Sequence, residues 1–120
     1  MNVAVKYFIE PSGIYVVHLS GIFTNQDRMK VENAGRAMID LSGKVKVLVL
    51  AEGFSGWARE GDWGDLTFML EYDPYIEKIA VVAGEQWRDK MLMYLGAGLR
   101  KAAVEFFTMD HENKARAWLQ

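Results

Sequence analysis

Val45-Lys46-Val47-Leu48-Val49-Leu50-Ala51 is the stretch on which the fold turns. Apart from Lys46 it is wholly apolar, and four of its members are Val or Leu in unbroken succession. A strand with one wet face alternates apolar and polar residues. A strand without that alternation is buried on both faces, which is the position of a central strand in a sheet covered by helices. A second stretch of this kind, Lys78-Ile79-Ala80-Val81-Val82-Ala83, follows further along and is ended by Gly84.

The flanking segments assign the other elements. Upstream, residues 3–9 and 14–20 read as strands rich in β-branched and aromatic residues. They are joined by Glu10-Pro11-Ser12-Gly13, a turn-forming link short enough to predict an antiparallel hairpin. Gly21 breaks the pattern. Thr24 then stands three residues before Asp27 as a capping-box variant, and a helix runs through Met29, Val31, Ala34, Ala37, Met38 and Leu41 to end near Gly43. Residues 52–57 read as a loop with two glycines, 60–72 as a second helix stopped by Asp73-Pro74, and 85–99 as a third. Residues 103–107 read as a strand, and Asp110 as the cap of a last helix through Ala115, Trp118 and Leu119. The predicted order is β-β-α-β-α-β-α-β-α: one α/β domain over residues 1–120, with a mixed sheet of about five strands under three to four helices. No repeat or linker divides it.

Composition excludes several classes of function. The chain has 120 residues and a net charge of −2, with no basic run that could follow a phosphate backbone, so nucleic acid is not an expected partner. The absence of cysteine excludes disulfides, thiolate metal sites and cysteine nucleophiles. His18 and His111 are far apart, neither has another histidine at metal-ligand spacing, and no metal or cofactor is expected. Ser55 lacks the Gly-x-Ser-x-Gly setting of a nucleophile elbow. The Gly53–Gly56 spacing lacks the Gly-Lys-Ser/Thr ending of a phosphate loop. Glu52, Glu60, Asp62 and Asp65 gather where acids complement a helix dipole. The opening residues lack the basic start and long apolar run of a signal peptide, so the expected compartment is the cytoplasm.

The unusual segment is Lys90-Met91-Leu92-Met93-Tyr94-Leu95-Gly96-Ala97-Gly98-Leu99-Arg100-Lys101. Its apolar part is far shorter than the ~20 residues needed to span a bilayer, yet it is apolar round most of a helix. At helical spacing Trp87, Met91, Tyr94, Leu95 and Gly98 share one side, while Met93 and Ala97 fall toward the other, beside Lys90 and Arg100. Two readings stand side by side: a helix packed between the sheet and a neighbour, or a mobile cover over an apolar cavity. Gly96 and Gly98 are the candidate hinge, since each costs roughly 1 kcal/mol inside a helix relative to Ala.

The order of elements resembles the STAS domain, and more closely its SpoIIAA-like branch. The carriers are the strand 45–51 followed by Gly53-Phe54-Ser55-Gly56-Trp57, then Asp62-Trp63-Gly64-Asp65-Leu66, Tyr72-Asp73, the strand opening at Glu77-Lys78, Glu85-Gln86-Trp87 and the ending Ala115-Arg116-Ala117-Trp118-Leu119. The resemblance spans essentially the whole chain, and it implies two functions, neither enzymatic. STAS proteins of the anti-anti-sigma type are switched by phosphorylation of a serine at the start of the helix after the central strand. Here that place falls near Arg59 or Glu60, which are not such acceptors, and Ser55 lies earlier, in the loop. The SpoIIAA-like branch, which also resembles CRAL-TRIO domains, implies a binding module for a lipid or other small hydrophobic molecule. A helical gate and peripheral membrane contact go with it.

The expected ligand-binding residues are therefore Phe54, Trp57 and Trp63 at a pocket mouth, Phe68 on the second helix, and Met91, Tyr94 and Leu95 on the third. Helices 60–72 and 85–99 form the gate. Met93, with Lys90, Arg100 and Lys101, forms the surface that meets a membrane or a partner. The alternative is a protein–protein module in which that surface makes a homodimer or a regulatory contact.

Overall fold

A computed structural model describes residues 5–59 and 71–120. Its strands are β1 (Val5–Ile9), β2 (Ile14–Leu19), β3 (Gly21–Phe23), β4 (Val45–Ala51), β5 (Phe54–Trp57), β6 (Ile76–Ala83) and β7 (Ala103–Thr108). The helices are α1 (Asn25–Ser42), α2 (Arg88–Tyr94) and α3 (Glu112–Leu119). Of the predicted 60–72 helix, the described residues are Glu71 and Tyr72, which are helical; the rest lies outside the described residues.

The main sheet has five strands in the order β1-β2-β4-β6-β7. β1 and β2 form the expected antiparallel hairpin; β2, β4, β6 and β7 run parallel. β4 is central, and its alternate side chains enter two separate cores. Leu48 and Leu50 pack with Val16, Ala80 and Val82 under Ala115 and Leu119 of α3. Val45 and Val49 belong to the opposite face, with Val17, Ile79, Val81 and Phe106, beneath α1 and α2. The unbroken apolar run thus follows from helical cover on both sides.

α1 begins as its sequence prescribes. The Asp27 amide donates to the Thr24 hydroxyl at 3.1 Å and the Thr24 amide to the Asp27 carboxylate at 3.0 Å. It ends at Gly43, whose amide donates to the Ile39 carbonyl at 2.7 Å. Its inward face is the expected one in part: Val31, Ala34 and Met38 pack half-buried against the core, but the most deeply buried positions lie beside them. Arg28, Gly35 and Ile39 are buried, whereas Met29 and Leu41 are 49% and 89% exposed.

The segment expected to be a loop is a strand. β5 pairs in parallel with β3 as a separate two-stranded sheet, so the element order gains a strand before α1 and another after β4. The Gly21 amide bonds the Gly53 carbonyl and the Ala58 amide bonds the Phe23 carbonyl, both at 2.9 Å. The register shifts between Gly21 and Ile22, leaving Ser55 without a facing residue, as in a bulge. The last helix also differs: Asp110 does not cap it. A 3₁₀ turn over Met109–His111 comes first, and the Asp110 carboxylate accepts from the Thr108 hydroxyl at 2.7 Å.

The predicted 85–99 helix is a 3₁₀ turn over Glu85–Trp87 followed by the short α2. Its stop is a Schellman motif: the Ala97 amide bonds the Leu92 carbonyl at 3.0 Å and the Gly96 amide bonds the Met93 carbonyl at 3.1 Å. Gly96 has φ +70° and Gly98 φ +80°. Gly98 occupies the third position of a turn closed by the Leu99 amide and the Gly96 carbonyl, where positive φ is required in a type II turn. Both glycines therefore lie beyond the helix, and the reading of them as hinge points within it is corrected: Gly96 terminates it and Gly98 shapes the turn that follows. A Cβ on Gly96 would meet nothing closer than Arg100 Cδ at 3.7 Å. Gly96→Ala is thus expected to cost about 1–2 kcal/mol through backbone strain alone. Urea denaturation should show that loss at unchanged m-value, with Gly96→Asn less affected.

Candidate functional site

The main sheet and its upper helices do not close on each other. Tyr15, Val17 and Leu19 of β2, Val45, Val47 and Val49 of β4, and Ile76 and Ile79 of β6 form the floor of a cavity of about 210 Å³. Strand alternation puts the side chains of β2 and β4 on one face, and the register shift at the start of β6 brings Ile76 to the same side as Ile79. Val31, Gly35 and Ile39 of α1 form one wall, Met91 and Tyr94 of α2 with Leu95 just after it form another, and Phe23 of β3 joins them. Met91 is 1% exposed, so the inner end of α2 is firmly embedded.

Polar groups sit among these apolar walls, each with a partner. The Tyr15 hydroxyl donates to the Val31 carbonyl at 2.8 Å, tying the floor to α1. Arg28, only 6% exposed, donates from Nε to Asn25 Oδ1 at 2.8 Å and from Nη1 to Glu32 Oε1 at 2.7 Å. Such a pair is tolerated in an apolar setting because each charge is met by a directional hydrogen bond. Arg100 lines the cavity too.

Burial raises the Tyr94 phenol well above its ordinary value; the neighbouring Glu32 carboxylate adds to this and Arg28 opposes it. Burial likewise raises Tyr15, with a smaller contribution from Tyr7. Both groups are neutral in the folded protein where an unfolded tyrosine would ionise. Their contribution to stability is complete below the ordinary value of about 10 and is lost as pH rises above it toward the folded values. Ultraviolet difference titration should show Tyr15 and Tyr94 ionising after the other tyrosines, together with unfolding.

The predicted site residues divide into three groups. Met91, Tyr94 and Leu95 line the cavity. Phe54 and Trp57 do not; they belong to an aromatic cluster beside it. Phe54 meets Trp57 edge-on at 5.0 Å and Trp87 at 4.9 Å, and Trp57 lies 5.4 Å from Tyr94. The cluster fastens α2 to the small sheet, and a Cβ on Gly56 would lie 3.4 Å from the Trp87 ring. Among the described residues, the buried Trp57 Nε1 has no hydrogen-bond partner. Trp63 and Phe68 lie outside the described residues.

Of the expected contact surface, Met93 is 80% exposed and Lys90 and Lys101 are exposed, with Lys90 Nζ 5.7 Å from the Trp87 ring centre. Arg100 is the correction. Its Nε donates to Asp73 Oδ1 at 2.6 Å and its Nη1 to the Leu95 carbonyl at 3.1 Å. Asp73 is itself buried and also accepts from the Lys101 amide at 3.2 Å. Arg100 thus holds the loop after α2 to the turn before β6 and is not a surface cation.

The α1 wall and Phe23 are not among the residues expected from sequence to line the site. The available signal was the spacing of Arg28, Val31, Gly35 and Ile39, one helical face; a charged residue heading that face disguised it.

A family model described as SpoIIAA-like matches residues 14–120. The chain belongs to the SpoIIAA-like family. A solved structure with the same fold as this SpoIIAA-like chain is an uncharacterized protein of the DUF3478 family from Shewanella loihica PV-4, itself described as having a SpoIIAA-like fold. The two share 16% identity, with a TM-score of 0.75 over 100% of this chain and 98% of the other. At that identity the likeness speaks for the fold alone. No curated protein matches the chain. Among the described residues of this SpoIIAA-like protein, no helix is long and apolar enough to cross a membrane.

Proposed function

We propose that this protein is a non-enzymatic binding module that encloses the apolar part of a small molecule between its main sheet and helices α1 and α2. The observation carrying this reading is the cavity of about 210 Å³ with Val17, Val49, Ile79 and Met91 on its walls. The space is partly open to solvent and mostly apolar-lined, so water within it has few hydrogen-bond partners. An apolar occupant that displaces this water gains ~25 cal/mol for each Å² withdrawn from water, before the costs of association. A cavity of ~150 Å³ holds benzene, so this one suits a single substituted ring or a short alkyl chain. A long-chain lipid requires α1 and α2 to separate from the sheet. The paired Arg28 and Glu32, with the Tyr94 phenol near them, suit a ligand with one polar end.

Native mass spectrometry after gentle purification tests this. The expected result is a co-purified small apolar mass, or uptake of short fatty acids and alkylbenzenes at one-to-one stoichiometry. A bare chain mass with no uptake would contradict it.

A second reading rests on the 80% and 91% exposures of Met93 and Leu99, which lie near Lys90 and Lys101: peripheral contact with an anionic membrane. Pelleting with phosphatidylserine vesicles, weakened by Met93→Glu, tests it. The phospho-switched regulatory role is not favoured, since Ser55 sits in β5 and not at the start of a helix.

A further inference from the structure

We infer that the open edge of β1 is a self-association surface, on which a second copy of this chain adds its own β1 in antiparallel register centred on Tyr7. Among the described residues β1 pairs only with β2, so one side of its backbone is an unused ladder. The register shows which groups face outward. The Glu10 amide donates to the Ile14 carbonyl at 2.9 Å, and Phe8 and Lys6 face Val16 and His18 in the same register. In an antiparallel pair hydrogen-bonded and non-hydrogen-bonded residues alternate. The backbone groups of Lys6, Phe8 and Glu10 therefore point into β2, and those of Val5, Tyr7 and Ile9 point to the open edge.

The side chains on this edge are unusual for one left in water. Tyr7, Phe8 and Ile9 are 36%, 45% and 40% exposed. Natural edges are blunted by charges, proline or bulges, yet β1 has one charge, Lys6, no proline and no register shift. The opposite edge, β7, presents Glu105 and has no large apolar side chain among the exposed ones.

A second copy is the occupant that this pattern fits. With the two-fold axis at Tyr7, Tyr7 faces Tyr7 of the other copy and Val5 faces its Ile9. All of these residues have outward N–H and C=O groups, so each facing pair exchanges both of its hydrogen bonds. On the other side of the sheet Lys6 faces Phe8, a cation–π arrangement, and no like charges oppose each other. Centring on Lys6 would set the two lysines opposite, and centring on Phe8 would bring Pro11, which has no amide, against Val5. A strand edge of five residues is short, so the complex belongs to the weak, concentration-dependent class.

Sedimentation equilibrium from about 10 μM to about 1 mM tests this on the full chain. The expected result is a rise toward the dimer mass. Tyr7→Pro removes an outward amide without touching the β2 ladder, and Tyr7→Lys sets like charges face to face. Each should weaken association at least about tenfold while the circular dichroism is unchanged. If Tyr7→Pro does not fold, Tyr7→Lys decides. Met93→Glu should dimerise like the native chain. Amide exchange at Tyr7 and Ile9 should slow with concentration, while exchange at Phe8 should be slow throughout. A native chain that stays monomeric over this range would overturn the inference, as would a dimer undiminished by Tyr7→Lys or one abolished by Met93→Glu.

Discussion

Replacing Asp73 by alanine is expected to destabilise the protein by about 3–5 kcal/mol, the range for a buried ion pair that loses one member. Both side chains are almost withdrawn from water, at 12% and 9% exposure for Asp73 and Arg100. The loss exceeds the net worth of the pair because the Arg100 guanidinium is left inside the protein with, among the described residues, the Leu95 carbonyl alone, and the Lys101 amide loses its acceptor. The double replacement Asp73→Leu with Arg100→Met should recover most of the loss, since no unpaired charge then remains. Denaturant titration of the single and double variants measures both effects. A loss below about 1 kcal/mol for Asp73→Ala would mean that the pair behaves as an exposed one.

The second large effect separates the two faces of β4. Leu48 is completely buried beneath α3, so Leu48→Ala should cost about 3–5 kcal/mol through lost transfer energy and a new void. Val49, the next residue, turns to the cavity. It is buried in the upper core but borders open space there, so Val49→Ala should cost no more than about 1–2 kcal/mol. Equal loss per methylene at the two positions would show that the upper face is as closely packed as the lower.

What could be read in the sequence was whatever depended on local pattern. The doubly buried β4 and β6, the β1–β2 hairpin, the Thr24–Asp27 box and the Gly43 stop all follow from residues close together in the chain. The β3–β5 sheet could not be read that way. Gly21–Phe23 is too short to show alternation, and its partner strand lies beyond α1 and β4. The end of α2 was misplaced because Leu95, Ala97 and Leu99 continue an apolar run past a glycine whose φ no pattern reveals. At the site, Met91, Tyr94 and Leu95 were legible as the apolar side of a helix. Arg28 was not: helix periodicity counts it as a surface residue, and its pairing with Glu32 and Asn25 helps it to face inward.

The most direct test is a methyl-resolved NMR titration with butylbenzene, comparing the native chain with Val49→Phe, a substitution that fills the cavity from its floor. Enclosure predicts saturable shifts concentrated on the methyl groups of Val17, Val49, Ile79 and Met91, small shifts at Leu48 and Leu50 on the other face, and loss of binding in Val49→Phe with stability kept or raised. Methyl groups that do not respond up to the solubility limit of the ligand, or shifts that persist unchanged in Val49→Phe, would contradict a binding site between the sheet and its upper helices.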